Sequence, residues 1–216
     1  MLIDCRNEQE WLQERRKYLA ASESSSYCGL NPYDPDGMVR LWEEKTGKRE
    51  RADISGKASV AFGKRAEEHI RAIFMLRHPE YELEYHQFGL YVSDEYPFMA
   101  ATLDGLLHNR IHRTQDTLEI KTATVQNAQA LEQWRKGELP IQYWTQEIHQ
   151  QVCKPTEGTW TAALVMLSWD PGTTYYLESY HSRAEMEEDM PQLLEYAKEM
   201  HRLITTNTRP ATVIRL

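Results

Sequence analysis

Two carboxylates and a lysine stand at a spacing that a single divalent metal site could use. Asp104 ends one apolar run, and Glu119 and Lys121 flank Ile120 in the next. Side chains alternate faces along a strand, so Glu119 and Lys121 point to one face and Ile120 to the opposite, buried face. Mg²⁺ prefers a few carboxylate oxygens with water and phosphate oxygens, and when bound it lowers the pKa of water towards neutrality. This set is typical of enzymes that hydrolyse phosphodiesters.

The surrounding residues are patterned as strands. Three segments show the expected alternation: residues 85–91, 98–106 and 117–121. The polar segment 107–116 is predicted as a hairpin turn that returns Glu119 to the side of Asp104. Lys121 would then orient or deprotonate the attacking water, or neutralise charge in the transition state. Taken alone, the motif leaves open a surface hairpin whose lysine forms a salt bridge.

Helical periodicity occurs on both sides of these strands. Helices are predicted at residues 7–18, from about Ser22, around Met38, Leu41 and Trp42, and at 57–76, 128–136, 141–153 and 183–204. A last pair of strands, 160–169 and 174–180, flanks a turn at 170–172. This order predicts an α/β fold with a mixed central β-sheet flanked by helices, and the whole chain, 1–216, is expected to form one domain.

The composition is that of an ordinary globular protein. Of the 216 residues, 41% are hydrophobic and 27% are charged. We expect a cytoplasmic protein with no membrane insertion, since no leader pattern and no apolar run near the roughly eighteen residues of a membrane helix occurs. The cysteines, Cys5, Cys28 and Cys153, have neither the number nor the spacing for a disulfide framework, a zinc site or a four-cysteine iron–sulfur cluster.

The net charge of −8 argues against a protein that simply coats nucleic acid, because such binding comes largely from Lys and Arg neutralising phosphates. The charge is uneven along the chain. Residues 1–65 hold 12 Lys and Arg against 11 Asp and Glu, whereas the remainder holds 13 against 22. Basic side chains are therefore relatively enriched in the first third of the sequence.

Three histidines lie near the predicted site elements in the sequence. His108 and His112 are four residues apart, but they lie in a predicted turn, where this spacing does not place them on one face. An exposed loop is the better interpretation. His149 lies on the predicted helix 141–153 and is interpreted as a packing or surface residue.

Five motifs follow one another in the order seen in the lambda exonuclease and YqaJ-type viral recombinase group of PD-(D/E)xK nucleases. They are Trp11-Leu12-Gln13-Glu14-Arg15, Ala21-Ser22-Glu23, Gly63-Lys64-Arg65-Ala66-Glu67, Asp104-Gly105 with Glu119-Ile120-Lys121, and Tyr143-Trp144-Thr145-Gln146. The chain resembles this family from about Trp11 to Trp169. It departs from the family in having Leu103 where proline usually precedes the aspartate, and in a longer spacing from Asp104 to Glu119. Both departures concern the backbone and the loop.

The resemblance implies a restriction-endonuclease-like core and specific roles for its motif residues. Metal binding would involve Asp104, Glu119, Ile120 and Glu67, and catalysis would involve Lys121, Glu119, Asp104, Gln146 and Glu67. Arg15 and Ser22 are similar to the family's pocket for a 5′-phosphate, and an arginine fork beside a serine at a helix N-terminus suits an anion. On local grounds alone, Glu67 and Gln146 would be helix-surface side chains and Ser22 a helix N-cap.

The implied activity is that of a Mg²⁺-dependent 5′-to-3′ exonuclease acting on double-stranded DNA ends. It would use two metal ions, with Mn²⁺ able to replace Mg²⁺, and would release mononucleotides and leave 3′ single-stranded tails. The resemblance also implies a homotrimer ring, a single-strand annealing protein as partner in recombination, and a phage or prophage origin in a bacterial host. Two alternatives stay open: a same-fold endonuclease or resolvase, and a catalytically inactive DNA-end binding module.

Overall fold

The chain forms two mixed β-sheets with helices packed on them. A computed structural model describes residues 1–54 and 56–211. The strands are β1 (Leu2–Asp4), β2 (Leu19–Ala20), β3 (Tyr81–Glu84), β4 (Gly89–Val92), β5 (Met99–Ala101), β6 (Gly105–Asn109), β7 (Gln115–Val125), β8 (Gly158–Leu167) and β9 (Thr174–Ser182). The helices are α1 (Glu8–Arg15), α2 (Ser24–Tyr27), α3 (Gly37–Lys45), α4 (Ala58–Arg77), α5 (Ala128–Arg135), α6 (Ile141–Cys153), α7 (Arg183–Met186) and α8 (Met190–Thr205), with a 3₁₀ turn at Ala21–Glu23 before α2.

The five-stranded sheet has the order β3-β6-β7-β8-β9. β7 and β8 are parallel and pair from Thr117 to Val125 of β7, whereas the other neighbours are antiparallel. β6 pairs with β7 only between Gln115 and Leu118. Within the described part of the chain, the rest of β7 therefore pairs with β8 alone, and its other edge is open.

The four-stranded sheet has the order β1-β4-β5-β2, in which only β2 and β5 are parallel. The chain leaves this sheet at Ala101 and enters the five-stranded sheet at Gly105. Asp104 therefore lies where the chain crosses from one sheet to the other. The single strand predicted at 98–106 is wrong, because this crossing divides it into two strands of different sheets.

Each face of the five-stranded sheet has its own apolar core. α4 packs on one face, where Ile70 and Phe74 contact Leu118 and Ile120. α5 packs on the other face through residues that include Leu131. Ile120 packs in the core with α4, whereas Glu119 and Lys121 form hydrogen bonds with Gln146 of α6, so the predicted alternation of β7 is confirmed. The face that carries Glu119 is buried as well, with 3% of Glu119 exposed. A further core joins α2, α3, α6 and α8 to the small sheet.

The predicted α/β order with a mixed sheet flanked by helices is confirmed, and the long helices are close to their predicted bounds. Three short strands, β1, β2 and β3, were not predicted. The prediction of one helix over 183–204 is wrong, since α7 and α8 are separated at residues 187–189. Pro191 lies in the first turn of α8, where its missing N–H needs no partner.

Two predictions about the strands before the hairpin are also wrong. The strand predicted at 85–91 begins too early, because only 89–91 belong to a strand, β4, while β3 ends before this segment at Glu84. The turn predicted at 107–116 is shorter, because both strands of the hairpin extend into it and leave 110–114 as the turn. In that turn the side chain of Asn109 accepts hydrogen bonds from the N–H groups of Ile111 and His112, and Arg113 has a φ of 61°.

No helix formed by the described ranges, 1–54 and 56–211, has both the length and the apolar character required to cross a membrane.

Candidate active site

β7 places Glu119 and Lys121 on the same face, as its alternation predicts. The Lys121 ammonium donates a hydrogen bond to the Glu119 carboxylate. Both side chains are nearly buried, with 4% of Glu119 and 14% of Lys121 exposed. Burial alone would lower the pKa of Lys121, but the charge and hydrogen bond of Glu119 outweigh it and raise that pKa. Lys121 is therefore a cation in this arrangement.

Asp104 is held beside this pair by the open edge of β7. Its Oδ2 accepts a hydrogen bond of 2.7 Å from the backbone N–H of Ile120. Its own backbone carbonyl accepts one of 2.9 Å from Nε of Arg71. Burial and the charge of Glu119 raise the pKa of Asp104 to about 8. The structure thus brings Asp104 and Glu119 together across the hairpin, as the sequence pattern predicts.

The backbone of Ile120 contributes to the same edge. The N–H and C=O groups of one strand residue point to the same side. Since the Ile120 N–H faces Asp104 at the open edge, its carbonyl oxygen faces that edge as well. The side chain of Ile120 is buried in the apolar core beneath α4. The group that Ile120 can offer to a cation is therefore its backbone carbonyl.

α6 contributes two glutamines one turn apart. Nε2 of Gln146 donates to Oε1 of Glu119 at 2.6 Å, and its Oε1 accepts from Nζ of Lys121 at 3.0 Å. Gln150 is fully buried and donates to Oε2 of Glu119. Among the described residues, Oε1 of Gln150 is a buried polar atom without a hydrogen-bond partner. Gln150 was not predicted, although its spacing of four residues from Gln146 indicates a shared helix face.

Glu67 approaches the site from α4 and is half-buried. Burial raises its pKa, with the charge of Glu119 adding to the effect and Arg71 opposing it. No hydrogen bond among the described residues joins Glu67 to the other two carboxylates. One turn before it, a Cβ on Gly63 would lie 3.3 Å from Oγ1 of Thr122, so the glycine lets α4 lie close to β7.

The donor set fits a magnesium ion. Asp104, Glu119 and the Ile120 carbonyl supply hard oxygen atoms, and Mg²⁺ needs only one or two carboxylates beside water and phosphate oxygens. Within 1–54 and 56–211, no three His, Cys, Asp or Glu side chains already converge on one metal position. Instead, the oxygens of Glu119 accept hydrogen bonds from Lys121 and the glutamines of α6. The mutual repulsion that raises the pKa of Asp104 is what a divalent cation would relieve.

The predicted anion pocket joins Arg15 and Ser22. Nη2 of Arg15 donates to Oγ of Ser22 at 2.6 Å. The guanidinium also lies 5.4 Å from the ring centroid of Trp11, whose Nε1 donates to Oγ1 of Thr102 at 3.1 Å. Trp11 thus connects the Arg15–Ser22 pair to the segment between β5 and β6, which carries Thr102 and Asp104. The interpretation of Ser22 as a helix N-cap is wrong, because it lies inside the 3₁₀ turn with its hydroxyl exposed.

Two further cations surround this pair. The buried carboxylate of Glu23 lies 2.8 Å from Nζ of Lys45, 3.2 Å from Nη1 of Arg51 and 3.9 Å from Nη2 of Arg15. Burial opposes ionisation of Glu23, but the charges of Lys45 and Arg15 lower its pKa. Glu44 also lies near enough to act on the charge of Arg15, so three cations face two carboxylates, and a local positive surplus is left in an acidic protein. Sequence reasoning missed Lys45 and Arg51 because they are distant in sequence and belong to no motif.

The remaining histidine and cysteine predictions concern residues away from the carboxylates. His108 belongs to β6 rather than to a loop, and its Nε2 lies 2.9 Å from a Glu84 oxygen. His149 is fully buried, as a packing residue, with Nδ1 2.8 Å from the Tyr27 hydroxyl and Nε2 3.1 Å from the carbonyl of Ala100. Burial lowers the pKa of His149 to about 4. The three cysteines are buried free thiols.

Solved structures with the same architecture include two exonucleases. The alkaline exonuclease LHK-Exo of Laribacter hongkongensis superposes with a TM-score of 0.61 at 20% identity, over 94% of this chain and 100% of that chain. A phage related exonuclease from Haemophilus somnus 129PT gives 0.53 at 12% identity, over 88% and 96%. At these identities the likeness shows the fold, so the restriction-endonuclease-like core implied by the motifs is confirmed.

Sequence comparison identifies the family. The protein YqaJ of Bacillus subtilis (strain 168), described as uncharacterized, is 28% identical over 153 residues, which are 65% of this chain and 40% of that relative. The matched region therefore spans less than half of YqaJ. A family model, the YqaJ-like viral recombinase domain, matches residues 10–157. This range includes every motif from Trp11 to Gln146, so the chain belongs to the YqaJ-like viral recombinase family.

Proposed function

We propose that this protein is a Mg²⁺-dependent 5′-to-3′ exonuclease that degrades one strand of double-stranded DNA from its end. The observation that carries the proposal is the convergence of Lys121, Glu119 and Asp104 at the open edge of β7. The family membership and the fold shared with alkaline exonucleases support the reaction class. The products would be mononucleotides and a duplex with a 3′ single-stranded tail.

Each residue of the site has a role that follows from its contacts. Asp104, Glu119 and the carbonyl of Ile120 would hold Mg²⁺, with Glu67 as an additional carboxylate for a second ion. When bound, Mg²⁺ lowers the pKa of water and stabilises negative charge on phosphate, and Mn²⁺ would replace it. The Lys121 ammonium neutralises charge that develops on the scissile phosphate and orients the attacking water.

Gln146 would hold the Lys121 ammonium in position. Its amide accepts from the ammonium through Oε1 and donates to Glu119 through Nε2 at the same time, without a change of protonation. The Lys121 ammonium is thereby directed along one line between the carboxylate and the amide oxygen. When Glu119 binds a metal ion, Gln146 would still hold the Lys121 ammonium in the same orientation.

The 5′ polarity rests on the cationic cluster around Ser22. A terminal phosphate carries more negative charge than an internal one, and the fork of Arg15 can bind it through two N–H groups. Lys45 and Arg51 add positive charge beside the pair. LHK-Exo has also been crystallised with dAMP, a nucleotide with a 5′-phosphate. We assign Arg15 and Ser22 to the 5′-phosphate of the strand that is cut.

The assembly and its partner are part of the proposal. We propose a homotrimer ring around DNA and a single-strand annealing protein that takes up the tail, in the cytoplasm of a bacterial host of phage or prophage. The family description as a viral recombinase supports the recombination role. Sedimentation equilibrium should give about three times the 25.4 kDa of one chain, and a mass of 25.4 kDa would contradict the ring.

The deciding experiment is digestion of a linear duplex labelled separately at each strand end. Substrates carry either a 5′-phosphate or a 5′-hydroxyl, each is incubated with and without Mg²⁺, and a covalently closed circle is the control. We expect metal-dependent loss from phosphorylated 5′ ends with the circle intact. Cleavage of the circle would instead indicate the same-fold endonuclease or resolvase, and binding without any cleavage would indicate a DNA-end binding module.

A further inference from the structure

A cleft of about 840 Å³ lies along the part of β7 that follows Lys121, from Thr122 to Val125. Phe62 of α4 and Tyr143 of α6 both line it. Trp134 of α5, nearly buried, contributes to the floor, and Tyr33 projects from the loop before α3. The catalytic lysine borders this cleft, because Nζ of Lys121 lies 4.8 Å from the ring centroid of Tyr143.

The cleft and the Arg15–Ser22 pair adjoin the site through different residues, and neither Arg15 nor Ser22 lines the cleft. The pair is connected through Trp11 to Thr102, before Asp104 in the chain. The cleft instead begins at Thr122, beyond Lys121 on β7. If Arg15 holds the terminal phosphate and the carboxylates meet the scissile phosphate, the first nucleotide beyond that phosphate would lie next to Lys121. The cleft borders Lys121 through Tyr143, so it is the space open to this nucleotide.

The lining matches a nucleobase better than a phosphate. Tyr33 and Phe62 expose 81% and 36% of their surface, so both residues are accessible to a ligand in the cleft. The polar side chains around them are mostly neutral, such as the amides of Gln126 and Gln142, and the charged one is acidic, Glu138. Neutral amides form hydrogen bonds with base edges, whereas an acidic group repels phosphate. Base–aromatic stacking is also independent of sequence, as a general exonuclease requires.

We infer that this cleft holds the unpaired base of the nucleotide immediately 3′ of the scissile phosphate, against the rings of Tyr33 and Phe62. The inference rests on the proposed 5′-to-3′ activity. An open strand edge can also accept an added peptide strand, and the backbone groups of Thr122 and Thr124 face this edge. Nucleic acid is favoured because the cleft borders Lys121 through Tyr143 and is lined by several aromatic rings.

The test uses 5′-phosphorylated duplexes in which one abasic residue replaces the first, second or fifth nucleotide from the 5′ end. Two quantities are measured: the rate of the first cleavage with Mg²⁺, and the dissociation constant by fluorescence anisotropy without metal. For the unaltered protein, we expect the second-position abasic duplex to bind roughly tenfold more weakly than the intact duplex, with little effect at the fifth position.

Variants then assign the effect to the cleft. Tyr33→Ala and Phe62→Ala should bind the intact duplex more weakly and should no longer distinguish it from the second-position abasic duplex. Leu76→Ala is the matched control, because Leu76 is 82% exposed near the other end of α4. It should retain the discrimination. Circular dichroism of each variant checks that the fold is unchanged.

The outcomes separate this inference from the proposed function. Equal affinity of the unaltered protein for the intact and second-position abasic duplexes overturns the inference, whether or not DNA is cut. Retained discrimination in both cleft variants also overturns it and leaves the edge to a peptide. Absence of cleavage with discrimination intact overturns the exonuclease proposal and leaves the base site supported.

Discussion

At the scale of single residues, the carboxylate of Glu119 is the centre of the site. Lys121 and Gln146 occupy one of its oxygens and Gln150 the other. All three donors come from β7 or α6, whereas Asp104 comes from the crossing between the sheets. Glu119 is therefore oriented by its own strand and by one helix. Its negative charge disfavours ionisation of the neighbouring Asp104.

Removing the proposed catalytic groups should abolish cleavage without unfolding the protein. Lys121→Ala and Asp104→Ala are expected to lower the rate at least about a hundredfold, because charge stabilisation and cation binding are lost. Neither side chain packs in an apolar core. The rate is measured on a 5′-phosphorylated duplex, with Lys198→Ala on the surface of α8 as control. A variant that cuts at a near-normal rate would remove its residue from the mechanism.

Gln150 should act as a positioning residue for Glu119. Gln150→Leu removes the donor to Oε2 and leaves that oxygen unpaired in a buried site, so cleavage should fall about tenfold or more and Mg²⁺ affinity should weaken. Isothermal titration with Mg²⁺ provides a readout separate from cleavage. The exposed Gln192→Leu is the control. Unchanged affinity and rate would show that Gln146 and Lys121 suffice to orient Glu119.

His149 should make the stability of the protein depend on pH. Its ordinary pKa of 6.5 falls to about 4 on folding, so between these values the unfolded chain binds more protons than the folded one. The free energy of unfolding then decreases as the pH falls, by at most about 1.4 kcal/mol per unit, or roughly 2 kcal/mol by about pH 5. Urea unfolding of His149→Gln should lack this component. An identical pH dependence in both proteins would contradict it.

At the scale of elements, β8, α4 and α6 hold β7 and its site residues in place. β8 is the parallel neighbour of β7 along its whole open section. α4 and α6 approach β7 from its two faces, and Gly63 permits the close approach of α4. The site depends on the register of these elements as much as on the residues they carry.

Gly158 at the start of β8 should be intolerant of a side chain. A Cβ there would lie 2.4 Å from the backbone oxygen of His181 and 2.7 Å from the hydroxyl oxygen of Tyr180. We expect Gly158→Ala to lower the free energy of unfolding by about 1–3 kcal/mol through displacement of β9. Gly172→Ala, in an open turn, is the matched control and should be neutral. Equal stability of the two variants would contradict the packing seen here.

At the scale of the whole molecule, the charge distribution is the dominant feature. The chain has a net charge of −8, yet Arg15, Lys45 and Arg51 surround a single buried carboxylate. The acidic site and this cationic cluster are joined through Trp11 and Thr102. An anionic strand can therefore be held at the cluster, while a divalent cation offsets the acidic site.

Mg²⁺ should stabilise the whole protein against heat. A ligand that binds only the folded state adds about 2.7 kcal/mol at a hundred times its Kd. We expect Tm to rise with Mg²⁺ at constant ionic strength, and Asp104→Asn to abolish most of this rise. Without metal, Asp104→Asn should melt at or above the Tm of the unaltered protein, because repulsion with Glu119 is removed. A full Mg²⁺ response in that variant would argue against Asp104 as a ligand.

The sequence alone determined what depends on local periodicity. The alternation of β7 placed Glu119 and Lys121 opposite Ile120, and the long helices α4 and α6 were predicted within a few residues. These features follow from contacts between near neighbours in the chain. Motif order also predicted the family, because its motifs lie on those same elements.

Only the tertiary structure decided what depends on distant residues. The division of 98–106 between two sheets, the pairing of Gln150 with Glu119 and the cations around Glu23 leave no periodic signal, because each joins segments far apart in sequence. The cleft is of the same kind, since α4, α5, α6 and the loop carrying Tyr33 all contribute to it. The physical reason is that periodicity reports which face of an element is buried, whereas the partner of that face is set by packing.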